Sequence, residues 1–171
     1  MKSALPYVLT INGSSSSIRF AVYEAGETPQ RRLNEKIDRI GLHGTNLIVN
    51  DPAGKAQVPR RLAAADHRTA VAFLMEWLEA QPVFASIKAA AHRVVHGMEH
   101  AEPEQVTPKL LAELRRITPY DPDHLPREIA LIEAPVSNGA VLPILHLNSL
   151  PDCGKSSTAR SRKNLPVQPS L

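Results

Sequence analysis

Tyr7-Val8-Leu9-Thr10-Ile11-Asn12-Gly13-Ser14-Ser15-Ser16-Ser17-Ile18-Arg19-Phe20-Ala21-Val22-Tyr23 decides how this chain begins to fold. Residues 7–11 are β-branched and apolar, and residues 18–23 alternate well enough to be a partner strand. Between them residues 12–17 are small and polar throughout, which breaks both patterns and makes a turn. The opening is therefore a β-hairpin. Successive backbone N–H groups and serine hydroxyls in such a turn form a concave donor surface suited to phosphate oxygens. A solvated serine turn has the same composition, so the turn alone does not assign a ligand.

Working outward, further strands are expected at Arg32–Ile40 and Asn46–Asn50, with Asp51-Pro52-Ala53-Gly54 turning the chain toward Gln57–Arg60. Asp66 is an expected N-cap, and Val71, Leu74, Trp77 and Leu78 recur at helical spacing behind it. Trp77 and Met75 read as core. Ser86–Ala91 is expected to be a short helix that runs into a strand, Ala91-His92-Arg93-Val94-Val95-His96-Gly97. Thr107-Pro108 starts another helix, with Leu110, Leu111 and Leu114 on its apolar side. Thr118–Pro126 reads as a loop and Arg127–Ala134 as a last helical piece.

After Ala134 the composition changes. The last 37 residues hold five prolines and six serines, and no structure is expected there. The tail's Lys155, Arg160, Arg162 and Lys163 against Asp152 equal the whole formal net charge of +3. Residues 1–134 are thus electrically neutral, whereas a nucleic-acid-binding domain concentrates positive charge on its folded part. No nucleic-acid partner is expected. No apolar run approaches bilayer length, no secretory signal follows Met1, and the single Cys153 cannot pair internally. A cytoplasmic location with no membrane partner is the expectation.

His92-Arg93-Val94-Val95-His96-Gly97 places an arginine among valines on a strand. A guanidinium against an apolar wall pairs bidentately with a carboxylate, while valines pack a short acyl chain. A strand-end arginine in a surface salt bridge is the plainer alternative. Gly154-Lys155-Ser156 mimics the end of a P-loop, but Ser149 stands where its first glycine is required. His92, His96, His100, Asp121, Asp123 and His124 lack metal-ligand spacing.

Taken together, the two motifs resemble the acetate kinase family. Ile11–Phe20 is similar to its amino-terminal signature, an apolar residue followed by Asn-x-Gly-Ser-Ser-Ser-x-Lys. His92–Gly97 is similar to its His-Arg-Val-Val-His-Gly-Gly block, and Thr118-Pro119-Tyr120 through Ile132-Glu133-Ala134 to the segment that follows. The resemblance implies an α/β fold: a ribonuclease-H-like N-terminal domain of the acetate/sugar kinase–actin superfamily, incomplete, over residues 1–134, with an irregular, unrelated tail over 135–171. It implies ATP and Mg²⁺, with Asn12 helping to hold the metal, Ser15 and Ser17 on nucleotide phosphates, and Arg19 in place of a lysine. Arg93 would bind the carboxylate of acetate or another short acid, and Val95 would line the acyl pocket. The complete enzyme would be a homodimer.

The chain departs from that pattern at Gly13-Ser14, Arg19, Met98 and Asp121, the last standing near an expected histidine from which His124 is displaced. The Phe-Asp-Thr-Ala-Phe-His block that carries the family's catalytic aspartate is not found, so no residue is assigned as catalytic. The expected function is ATP-dependent phosphorylation of a short carboxylate to an acyl phosphate, by a product truncated or frame-shifted near Pro135 and inactive alone. The alternative is a non-catalytic remnant that binds a carboxylate or a protein partner.

Overall fold

The serine turn folds the chain back on itself as the residue pattern requires. Strand β1 (Tyr7–Gly13) pairs antiparallel with β2 (Ser17–Glu24), in register from Tyr7↔Glu24 to Gly13↔Ile18. The computed structural model describes residues 5–50, 55, 57–95, 97, 100, 102–137 and 144–148. Strands β3 (Gln30–Asp38), β4 (Asn46–Val49) and β5 (Arg60–Arg61) continue the antiparallel meander to one edge of the sheet. On the other side of β1, β6 (Ile87–Val94) and β8 (Ile144–Asn148) run parallel, and the short β7 (Glu104–Gln105) closes that edge. The strand order is β5-β4-β3-β2-β1-β6-β8-β7.

Three helices are described, α1 (His67–Glu79), α2 (Pro108–Ile117) and α3 (Leu125–Ser137). Asp66 caps α1 through a reciprocal box with Thr69, and Thr107 caps α2 with Pro108 at the first helical position. Alternation along the strands sends Leu9, Ile11, Ile18, Phe20, Val22, Ile37 and Ala90 to one face, where they pack against Ala70, Leu74, Met75 and Leu78 of α1 and Leu131 of α3. A second cluster joins Val94 to Leu110, Leu114 and Ile117 of α2 and to Leu125, Ile129 and Ile132 of α3. The helices thus bury one face of the sheet around β1, β2 and β6.

Gly13 ends β1 on this helix-covered face. A Cβ built there would lie 2.8 Å from Cδ1 of the buried Leu131, so only glycine lets α3 come this close. Gly13→Ala is expected to cost about 1–3 kcal/mol by overpacking. Urea denaturation followed by Trp77 fluorescence measures it, and in a Leu131→Ala background the same substitution should cost little.

The structure corrects the sequence reading in three places. Ser86–Ala91 is not a helix, because β6 begins at Ile87 after a single 3₁₀ turn. Its alanines favour helix by propensity, but between β1 and β8 they serve as small residues, with Ala90 buried against the helices and Ala91 on the opposite face. The loop expected at Thr118–Pro126 is a 3₁₀ turn, Thr118–Tyr120, and a start of α3 at Leu125. Regular structure also continues past residue 134, where the sequence reading ended it: α3 runs to Ser137, and β8 takes an interior place beside β6. A short strand after Pro143 carries little local signal, and its partner lies some fifty residues away in β6. His96, Met98, Cys153 and Gly154-Lys155-Ser156 lie outside the described residues.

Candidate functional site: the open face of the hairpin

The residues that alternate away from the core share the opposite face of the sheet. Thr10 and Asn12 of β1 pair with Ala21 and Arg19 of β2, Asn34 of β3 stands opposite Ala21, and Thr10 stands beside Ala91 of β6. These residues, with Arg93, line a cavity of about 170 Å³. The floor is apolar, from Ala21 and Ala91, and the polar groups on it are few: Asn12, Asn34, Thr10 and the exposed Arg19 and Arg93. Two cations over an apolar floor with a few convergent amides suit a small anion that carries an apolar group.

Asn12 has a feature that composition does not show. Its Oδ1 is buried and accepts no hydrogen bond. A buried carbonyl oxygen without a donor costs about 1–3 kcal/mol, and a cation, directly or through its water, would satisfy it. That fits a Mg²⁺ ion, which takes oxygen ligands, keeps several waters and shares its shell with substrate phosphates. Among the described residues no group of three His, Cys, Asp or Glu side chains is placed to hold a metal, so Asn12 would be a single neutral ligand rather than a cage.

The turn itself is held from below. Ser14 N–H donates to Ser17 C=O at 2.8 Å, and Ile40 N–H donates to Ser16 C=O at 2.9 Å. The Ser15 carbonyl meets His67 Nε2 at 3.0 Å and accepts from Arg127 Nη1 at 3.2 Å. Ser17 is buried at the start of β2.

At the other end of the site, Val95 follows the last residue of β6. Its N–H donates to both carboxylate oxygens of Glu128, at 3.2 and 3.3 Å. Glu128 is buried on α3. Burial pushes its carboxyl above the usual range, with the Asp121 charge adding to the effect, while the Val95 N–H, His124 and Arg93 pull the other way. Asp121 is buried too, and its Oδ1 lies 2.8 Å from His124 Nδ1. Asp121 and His124 are therefore partners of each other.

Of the residues singled out by sequence, the structure brings Asn12, Arg19 and Arg93 into one cavity. Ser15, Ser17 and Val95 do not line it. Sequence reasoning missed Asn34, His67, Arg127 and Glu128. Only Glu128 had a readable signal: an acid on the apolar stripe Leu125, Ile129, Ile132 of a helix is out of place unless it has a buried partner. Two further perturbed groups, Glu35 and His92, lie on the helix-covered face and outside the cavity. Burial raises Glu35 to about 7 and lowers His92 to about 4. No described helix is long and apolar enough to cross a membrane.

This geometry can be set beside known proteins. The sequence profile of the acetokinase family matches residues 7–144. An acetate kinase of Rhodopseudomonas palustris is 32% identical over 131 residues, which is 74% of this chain and 33% of that protein. A propionate kinase of Citrobacter freundii is 34% identical over 125 residues, 70% of this chain and 30% of that protein. The crystal structure of Porphyromonas gingivalis acetate kinase superposes with a TM-score of 0.72 at 23% identity, covering 84% of this chain and 37% of that one. A propionate kinase from Francisella tularensis gives the same score at 20% identity, with the same coverage. These solved structures share the fold, which is the α/β N-terminal portion of an acetate kinase. The chain spans about a third of the length of these relatives. A profile match over residues 7–144, on a fold held in common with acetate and propionate kinases, means that this chain belongs to the acetokinase family.

Proposed function

We propose that the open face of the hairpin is the acid-binding and phosphate-facing half of a site that phosphorylates acetate or another short carboxylate with ATP. The observation that carries the proposal is the convergence of Asn12, Arg19 and Arg93 on one apolar-floored cavity. In the reaction a carboxylate oxygen attacks the γ-phosphorus, an acyl O–P bond forms, the β–γ bridging P–O bond breaks, and ADP leaves with its electron pair. Such transfers need positioning and charge neutralisation more than covalent work.

Arg93 would pair with the carboxylate and hold its attacking oxygen, with Ala21 and Ala91 beneath the methyl group. Val95 would flank the acyl chain, its peptide fixed by Glu128. Arg19, with Ser15 and Ser17 of the turn, would face the nucleotide phosphates. Asn12 would hold Mg²⁺ through Oδ1. Bound there, the ion neutralises charge on the phosphoryl oxygens.

The arrangement supplies part of the electrostatic clamp that transfer requires, and each missing donor of this kind typically costs about 10²–10³ in rate. The 171-residue chain assayed alone is therefore expected to bind acetate and to form no acyl phosphate above background. A hydroxylamine trapping assay with acetate or propionate and MgATP tests this. Acyl hydroxamate in excess of the enzyme concentration would overturn the expectation of an inactive chain. Location in the cytoplasm and homodimerisation of the complete enzyme belong to the same proposal.

A further inference from the structure

We infer that His67 and Arg127 are positioning residues for the serine turn, aiming a backbone donor at the phosphate side of the site by holding the Ser15 carbonyl from the helix side. This rests on the reading of the turn as the element that faces phosphate. The Ser15 oxygen has two partners from distant elements, His67 at the first helical position of α1 and Arg127 in the first turn of α3, at 3.0 and 3.2 Å. A turn that merely faced solvent would leave that carbonyl to water at little cost.

Neither side chain is needed for another visible task at that point. The α1 terminus is already closed by the Asp66–Thr69 box. His67 keeps its contact even though its Nδ1 is buried with no hydrogen-bond partner. A histidine that leaves one ring nitrogen without a partner is positioned for what the other nitrogen does. A carbonyl only accepts, so Nε2 is the donor in this contact.

The consequence for function comes from peptide geometry. No described peptide bond is cis, and in a planar trans peptide the N–H points opposite to the C=O. Fixing the Ser15 carbonyl toward α1 and α3 therefore sends the Ser16 N–H away from the helices. Two further carbonyls of the turn are also tied, Ser16 to Ile40 and Ser17 to Ser14, which restricts rotation of the peptide. Arg127 in addition places a positive charge beneath the turn without occupying the ligand's space. The turn is a donor surface set in advance, which reduces the ordering cost of binding.

The test uses the full 171-residue chain, with sodium tripolyphosphate and Mg²⁺ as the probe and ¹⁵N-resolved amide shifts of Ser14–Ser17 as the readout. In the native chain these amides should shift on titration. In the double variant His67→Ala/Arg127→Met the tripolyphosphate affinity should fall about tenfold, equivalent to about 1.4 kcal/mol, while acetate affinity stays unchanged. His67→Gln and Arg127→Lys keep a donor and should restore most of the affinity. The single variants His67→Ala and Arg127→Met decide the question if the double variant fails to fold. Native-like tripolyphosphate affinity in His67→Ala and Arg127→Met would overturn the inference while leaving the phosphate-facing turn intact. Turn amides that do not move in the native chain would overturn the phosphate reading itself, and this inference with it.

Discussion

Glu35→Gln should match the native chain in stability near pH 4.5 and exceed it by about 3 kcal/mol near pH 8. Glu35 lies on the helix-covered face, opposite Phe20 of β2 and Val49 of β4, with only 1% of its surface exposed. Its Oε2 is buried without a hydrogen-bond partner. Burial raises the carboxyl to about 7, so at neutral pH the folded chain must hold the group protonated or carry a poorly solvated charge. The sign follows from linkage. Between pH 4.5 and 7 the folded state binds the proton that the unfolded state has released, so stability falls as pH rises and is flat above.

His92 works in the opposite sense. It is buried on the same face and its pKa is lowered to about 4, so the unfolded chain takes up a proton first as pH falls below 6.5. Between 4.5 and 6.5 the two slopes offset one another in the native chain. Removing Glu35 exposes the histidine slope, and the variant should gain stability with pH across that window. Urea titrations of both chains at several pH values, read by Trp77 fluorescence, measure the difference. A difference independent of pH would show that Glu35 titrates normally.

Phe20→Ala should cost about 3–5 kcal/mol. Phe20 is the largest fully buried side chain among those described, and its ring meets Trp77 edge to face, with centroids 5.5 Å apart. It fixes one face of β2, while the preceding residue, Arg19, reaches the cavity on the other side. The loss should therefore lower the melting temperature steeply and weaken acetate binding in proportion to the unfolded fraction. Phe20→Leu, which keeps most of the volume, should retain binding at low temperature.

What the sequence made legible was local and periodic. The hairpin, the Asp66 and Thr107 caps and the apolar stripes of α1 and α2 depend on neighbours within a few residues. Asn12, Arg19 and Arg93 could be proposed together only because two motifs resembled one family. The order of strands places them over one floor, and no single motif contains that order. β6 was misread at its start because Lys88-Ala89-Ala90-Ala91 has the local preference of a helix. Burial between two parallel neighbours decides otherwise. β8 escaped for the same reason, a strand whose pairing is entirely long-range. The Glu128 anchor and the double hold on Ser15 link residues 33 to 112 positions apart, and nothing local encodes them.

In the proposed site one cavity binds a carboxylate at Arg93 and faces phosphate at Arg19. Equilibrium binding of acetate and of magnesium tripolyphosphate to the native chain, Arg93→Ala and Arg19→Ala measures it most directly. A split is expected: Arg93→Ala weakens acetate by about 10- to 100-fold, the worth of a charged hydrogen-bonded pair, and spares tripolyphosphate, while Arg19→Ala does the reverse. Acetate bound equally by the native chain and by Arg93→Ala would contradict it.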